Sequence, residues 1–334
     1  MAASVTAQRT VTPEAIRAGA RLVTMLLGRM ALGIGVVVVT AAISFAIPRW
    51  ARPQDYVGET GLSGVLHAMG RAFLHLDFGS ACGWPGCPEI HDMWARGYAA
   101  DIWMLFGTVA IGVGGGFALG LWCSSRAGSR RARVVETAAT VLYCAPVYVV
   151  GLGLLVLFHP DFGRWPLPYF FDASPVWASP FSAPWDWLRT LLVPWLVAAA
   201  PLAAMCLRLV VALVEEQMDA DPVRTAMAKG LPYRRVVRRH AGRFAHGAVA
   251  SLVGVSAPFV VTNLILVERL FSVPGFFFHT WKATGHTQAP SVPPVFDYDM
   301  LAAIAIWASV FIVVLSFGMD LALQRLDPRI RTAP

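Results

Sequence analysis

Asp221-Pro222-Val223-Arg224-Thr225-Ala226-Met227-Ala228-Lys229-Gly230-Leu231-Pro232, continued by Tyr233-Arg234-Arg235-Val236-Val237-Arg238-Arg239-His240, is a polar island between long apolar runs at 188–213 and 248–267. Asp221 suits the N-cap of a helix, and Pro222 suits its first position, where a missing N–H costs nothing. Gly230 can close that helix in the left-handed conformation, and Pro232 can open a second short helix. The stretch therefore predicts a helix of about two turns, small and apolar at Ala226 and Ala228, then a sharp bend and a basic helix. Two readings fit. Small side chains and fixed ends suit a peg docked into the groove of another subunit. The basic charges equally suit an amphipathic helix lying on anionic lipid.

Working outward, apolar runs recur at 28–48, 102–122, 135–158, 188–213, 248–267 and 300–323. Each is close to the roughly 20 residues that a helix needs to cross a bilayer. The chain has 334 residues, 57% of them hydrophobic and only 14% charged, which excludes a soluble or disordered class. The runs are continuous rather than alternating, which excludes a transmembrane barrel. The expectation is an all-α polytopic membrane protein with six transmembrane helices. A short segment, 1–27, precedes one transmembrane domain, 28–334, whose long inner loop is 214–247. The first run is too long for a cleaved signal peptide and reads as an uncleaved anchor.

The net charge of +7 follows the same topology. With the N-terminus inside, eighteen Lys and Arg residues fall in inner segments and eight in outer ones, so both termini are expected in the cytoplasm. Seven of the eighteen lie between Arg224 and Arg243. A topology bias accounts for the basic excess, and no nucleic-acid partner is implied.

Motifs at four places, in order, resemble one family. Arg224-Thr225-Ala226-Met227-Ala228-Lys229-Gly230-Leu231 resembles the "EAA" loop of ABC importer permeases, in the form carried by the dipeptide, oligopeptide and nickel group. Asp77-Phe78-Gly79, Val267-Glu268-Arg269-Leu270-Phe271-Ser272-Val273-Pro274-Gly275 and Leu326-Asp327-Pro328-Arg329-Ile330-Arg331 are similar to further signatures of that group. The chain departs from it at Ile47-Pro48-Arg49-Trp50, where the group has Pro-Gly-Asp-Pro, and again at 242–247.

The resemblance implies a type I importer permease in a bacterial cytoplasmic membrane. Its expected partners are a second homologous permease subunit in a heterodimer, two cytoplasmic ATPase subunits and an extracytoplasmic solute-binding protein. Residues 224–231 would couple it to the ATPase. The cargo would be a small solute, a peptide first and a metal chelate as the alternative. An ion-coupled secondary transporter and an ABC exporter membrane domain are the rival classes. The chain contains no Gly-Lys pair, so it has no G-x-x-x-x-G-K-[ST] phosphate loop. It is read as a non-enzymatic subunit with no cofactor of its own, ATP and Mg belonging to the partner.

Other residues carry narrower expectations. Gly112, Gly116 and Gly120 form a stripe that lets two helices approach closely. Arg208 and Asp320 sit at similar depth near the inner ends of two spans; they either pair or reach the interface separately. Cys82 and Cys87 flank a Gly-Trp-Pro-Gly turn in the first outer loop and are candidates for a disulfide. Two thiols are too few for a zinc site, and no metal motif is present. Trp165, Trp177, Trp185 and Trp187, with Tyr169, Phe170 and Phe171, read as an interfacial belt or a partner-binding surface.

Overall fold

The computed structural model describes residues 13–56, 61–82, 86–158, 180–285 and 296–326. Helix α1 (Pro13–Ala51) runs through Pro48 to its last turn. Helix α2 (Gly61–His75) is amphipathic; it buries Val65, Ala68 and Ala72 against Ala41 and Phe45 of α1. Helix α3 (Ile90–Ser124) starts well before the apolar run at 102. Its early turns present Ile90, Met93, Gly97, Ala100 and Met104 on one buried face, a helical period that polar neighbours hide from a hydropathy reading. At 35 residues it is about 52 Å long, more than the roughly 30 Å of a bilayer's hydrocarbon, so part of it stands outside the membrane.

Helix α4 (Arg130–Cys144) is capped by Ser129, whose hydroxyl accepts the Ala132 N–H at 3.2 Å. Helix α5 (Val147–Phe158) follows after a bend of 107°. Pro146 explains the bend, because it pushes the preceding Ala145 into the extended conformation it adopts (φ −76°, ψ 131°). Helix α6 (Pro184–Gln217) continues through Pro194 and Pro201. Helices α7 (Asp221–Ala228) and α8 (Tyr233–Val236) form the polar island. A π turn (Val237–Ala241) and a 3-10 turn (Gly242–Phe244) lead into α9 (Ala245–Val255). A bend of 60° at Ser256, with Pro258 beside it, separates α9 from α10 (Ala257–Leu270). A single turn, α11 (Thr280–Ala283), precedes α12 (Tyr298–Leu326).

Four of these helices are long and apolar enough to cross a membrane, and the count reaches six when each bent pair is one span. The apolar runs at 135–158 and 248–267 thus each straddle a break. The chain is an all-α polytopic membrane protein.

The centre is the pairing of α3 with α6. A Cβ on Gly107 would overlap the Trp195 ring, and one on Gly116 would overlap the Ala203 carbonyl oxygen. Gly112 sits against Leu202, and Gly120 against Val210. Gly114 and Gly115 have nothing within 4 Å, so only one face of the glycine run is in contact. Toward the start of α6 Trp195 donates Nε1–H to the Trp103 carbonyl at 3.0 Å, and Trp187 meets both rings edge-on. Trp187 is therefore packed into the core, whereas Trp185 is exposed. The remaining aromatic residues of that loop, 165–177, lie outside the described residues, as do 327–331.

Two expectations are corrected. Asp320 does not meet Arg208; it pairs with Arg29 of α1. The reason is adjacency: α12 lies along α1, while the Arg208 guanidinium, on α6, stands 6.0 Å from the Tyr143 ring of α4. Cys82 and Cys87 are free thiols rather than a disulfide. A hydrogen bond with Cys87, then desolvation, pushes the Cys82 thiol up to about 11, so its sulfur holds a proton at neutral pH.

Candidate functional site

Helix α7 is placed by what it buries. Val223 and Ala226 point inward and pack with Val236, Val237 and Ala241 onto Val210 and Val214 of α6 and Ala245 and Val249 of α9. The helix starts one residue earlier than the sequence suggests. Ala220 occupies the cap position, its carbonyl accepting the Val223 and Arg224 N–H groups at 2.9 and 3.0 Å. Asp221 falls in the first turn, where a negative charge complements the helix dipole.

The far end closes as a Schellman turn. Leu231 N–H donates to the Ala226 carbonyl at 3.3 Å and Gly230 N–H to Met227 at 2.9 Å. Gly230 takes φ +78° to do so. The two sides of α7 are then distinct: Arg224, Thr225, Met227, Ala228 and Lys229 face outward, and Ala226, expected on the presented side, does not. Tyr233 ties the island to α3 by donating its hydroxyl to the Ser124 carbonyl at 3.4 Å. Gly242 abuts Leu121 of the same helix. Close-packed side chains thus join the 221–242 island to the adjoining ends of α3, α6 and α9.

About 35 Å away along α3, by helical rise, is a site that the sequence reading did not assemble. Asp101 and Glu268 are both wholly buried. Asp101 Oδ1 accepts the Phe276 N–H at 2.8 Å, and its Oδ2 accepts the Trp307 Nε1–H at 2.6 Å. Glu268 faces Asp101, and no described donor meets either of its oxygens in hydrogen-bonding geometry. A Cβ on Gly275 would overlap both Asp101 Oδ1 and Glu268 Oε2, so the Pro274-Gly275 turn is what lets the backbone reach the pair. Glu268 and Gly275 lie in the 267–275 motif, which by itself assigns neither a role, and Asp101 borders the apolar run at 102–122, which hides it from a hydropathy reading. Its spacing from Gly97 and Met104 was the available signal.

Beside this cluster a cavity of about 470 Å³ is lined by Met93, Arg96, Gly97, Ser272, Phe278 and His279, among others. Burial, with Lys282 and Arg96 adding to it, holds His279 down to about 4, so its imidazole is neutral at physiological pH.

Comparison with known proteins bears on both sites. The family described as "Binding-protein-dependent transport system inner membrane component" matches residues 116–332, which include the whole of α7 and Glu268. The dipeptide transport system permease protein DppB of Bacillus subtilis is 23% identical over 78% of this chain and 77% of its own length. The oligopeptide transport system permease protein OppB of Mycobacterium tuberculosis is 28% identical over 69% and 67%, respectively. A probable peptide ABC transporter permease of Sinorhizobium fredii is 25% identical over 67% and 66%. With α7 packed in one buried cluster with residues of α6 and α9 and the family match spanning it, the chain belongs to the inner-membrane components of binding-protein-dependent transport systems.

Proposed function

We propose that this chain is the membrane-spanning permease subunit of a peptide importer, working with a second homologous permease, two cytoplasmic ATPase subunits and an extracytoplasmic binding protein. The peptide assignment is supported by the relatives, which are named as dipeptide, oligopeptide and peptide permeases. Six crossings with both termini in the cytoplasm are supported by the basic bias and by the seven basic residues around α7.

The observation that carries the reading is the division of α7 into a face seated on α6 and α9 and a face left outward with Arg224, Met227 and Lys229. ATP-driven closure of the partner ATPases would move that outward face. The packed face would pass the motion to the inner ends of α3, α6 and α9, and the bundle would open alternately outward and inward. No bond is made or broken on this chain; phosphoryl transfer belongs to the ATPases, with ATP and Mg bound there.

Gly230 provides the test. Its φ of +78° is accessible to glycine and strained for a β-branched residue, although the space around it is open. Gly230→Val should therefore disturb the end of α7 by backbone strain alone. In proteoliposomes containing the complete importer, solute moved per ATP hydrolysed should fall at least tenfold. An unchanged ratio would contradict the coupling role.

A further inference from the structure

We infer that Asp101 and Glu268 share one proton, and that this proton latches the segment 271–276 onto α3 and α12 at the outer end of the bundle. The inference rests on the geometry of the pair and does not depend on the importer reading. Both carboxyls are wholly buried and converge on the space that a Cβ on Gly275 would fill. Two carboxylates in contact in a buried site cannot both stay ionised without severe cost.

The donors on hand decide where the proton sits. Asp101 accepts one N–H on each oxygen, from Phe276 and from Trp307. Glu268 has no described donor in bonding geometry, although the Phe278 backbone is nearby. A single proton on Glu268, donated to Asp101, neutralises one group and supplies the hydrogen bond that Glu268 otherwise lacks.

The surrounding charges turn elsewhere. On α3, Arg96 donates Nε–H to the Asp92 carbonyl at 3.0 Å and borders the outer cavity. On α10, the Arg269 guanidinium lies 5.1 Å from the Phe278 ring. His279 and Lys282 follow the latched segment, and Lys282 acts on His279. Asp297 and Asp299 stand at the start of α12, Asp297 accepting the Met300 N–H and Asp299 lying against Gly79. The charge acting on Glu268 is that of Asp101.

The linkage follows from proton counting. The closed latch holds one proton that two exposed carboxylates would not hold at neutral pH. Stability of the closed form is therefore greatest near the ordinary carboxylate range, where the open form also holds about one proton, and it falls about tenfold per pH unit above that range until the pair itself loses its proton. Opening of segment 271–276 releases that proton to the outer side.

The test uses the purified full-length protein in lipid nanodiscs. At neutral pH, infrared spectroscopy should detect the C=O band of a buried protonated carboxylic acid, shifted by deuterium, and Glu268→Gln should remove it. Glu268→Gln keeps an N–H donor toward Asp101 without needing a proton. It should fold, and above about pH 6.5, where His279 no longer titrates, it should abolish the fall of the thermal midpoint with rising pH that the wild type shows. Glu268→Ala, which has no donor, should be less stable at every pH. Absence of the acid band from the wild-type protein would overturn the proposal without any variant. So would its persistence in Glu268→Gln, or a wild-type pH slope in that variant.

Discussion

Two glycines two residues apart on α3 should respond to alanine with opposite signs. At Gly116 a Cβ would overlap the Ala203 carbonyl oxygen and lie 2.7 Å from Cys206 Cβ and 2.9 Å from Ala203 Cα. None of these atoms can rotate away, so α3 and α6 must move apart. Overpacking of this kind costs about 1–3 kcal/mol, and rigid backbone obstacles put Gly116→Ala near the upper end. Replacing glycine within a helix returns about 1 kcal/mol, which leaves a net loss of roughly 2 kcal/mol. At Gly114 nothing lies within 4 Å, so only the helical gain of about 1 kcal/mol remains. The two variants should then differ by about 3 kcal/mol, or on the order of 5 °C in midpoint. Heating the detergent-solubilised protein and following the monodisperse peak by size-exclusion chromatography measures this. A Gly116→Ala midpoint at or above that of Gly114→Ala would refute the close approach of α3 and α6.

Two further outcomes follow from the charges. Arg29→Gln and Asp320→Asn should be non-additive in a double-mutant cycle by about 1 kcal/mol, since each removes the same pair, whereas Arg208→Gln should add independently to Asp320→Asn. His279, held down to about 4 against an ordinary 6.5, binds a proton more readily unfolded than folded between those values. Its contribution to stability is thus complete above about 6.5 and is lost as pH falls toward 4; His279→Gln should flatten that limb of a thermal-midpoint titration.

The fold was legible where composition and local chemistry agree. Long apolar runs announce membrane helices, and Pro222 with Gly230 announces the bounds of α7 to within one residue. What stayed hidden depends on which helix lies beside which. The partner of Asp320 could not be read because depth along a span is visible in sequence while lateral adjacency is not. Arg29 was counted only as an inner basic residue. Helix α3 begins at Ile90 because its outer turns pack on the 271–276 segment, a contact between residues some 175 positions apart. The Asp101 and Glu268 pair was hidden for the same reason: each carboxyl borders an apolar run, and only the fold shows that they converge. Ala226 was placed on the presented face of α7 because smallness alone does not say which side is seated; Val223 and Val236 show that it is the inner one.

The central claim is that the outward face of α7 is where the ATPase engages this chain. A photo-activatable amino acid at Met227, which is 39% exposed, tests it in the purified importer complex. The account predicts a cross-link between position 227 and the ATPase subunit whose yield changes with bound nucleotide, and no such product from the same probe at Leu62 of α2. Failure of position 227 to cross-link the ATPase in an intact complex, or an equal yield from position 62, would contradict it.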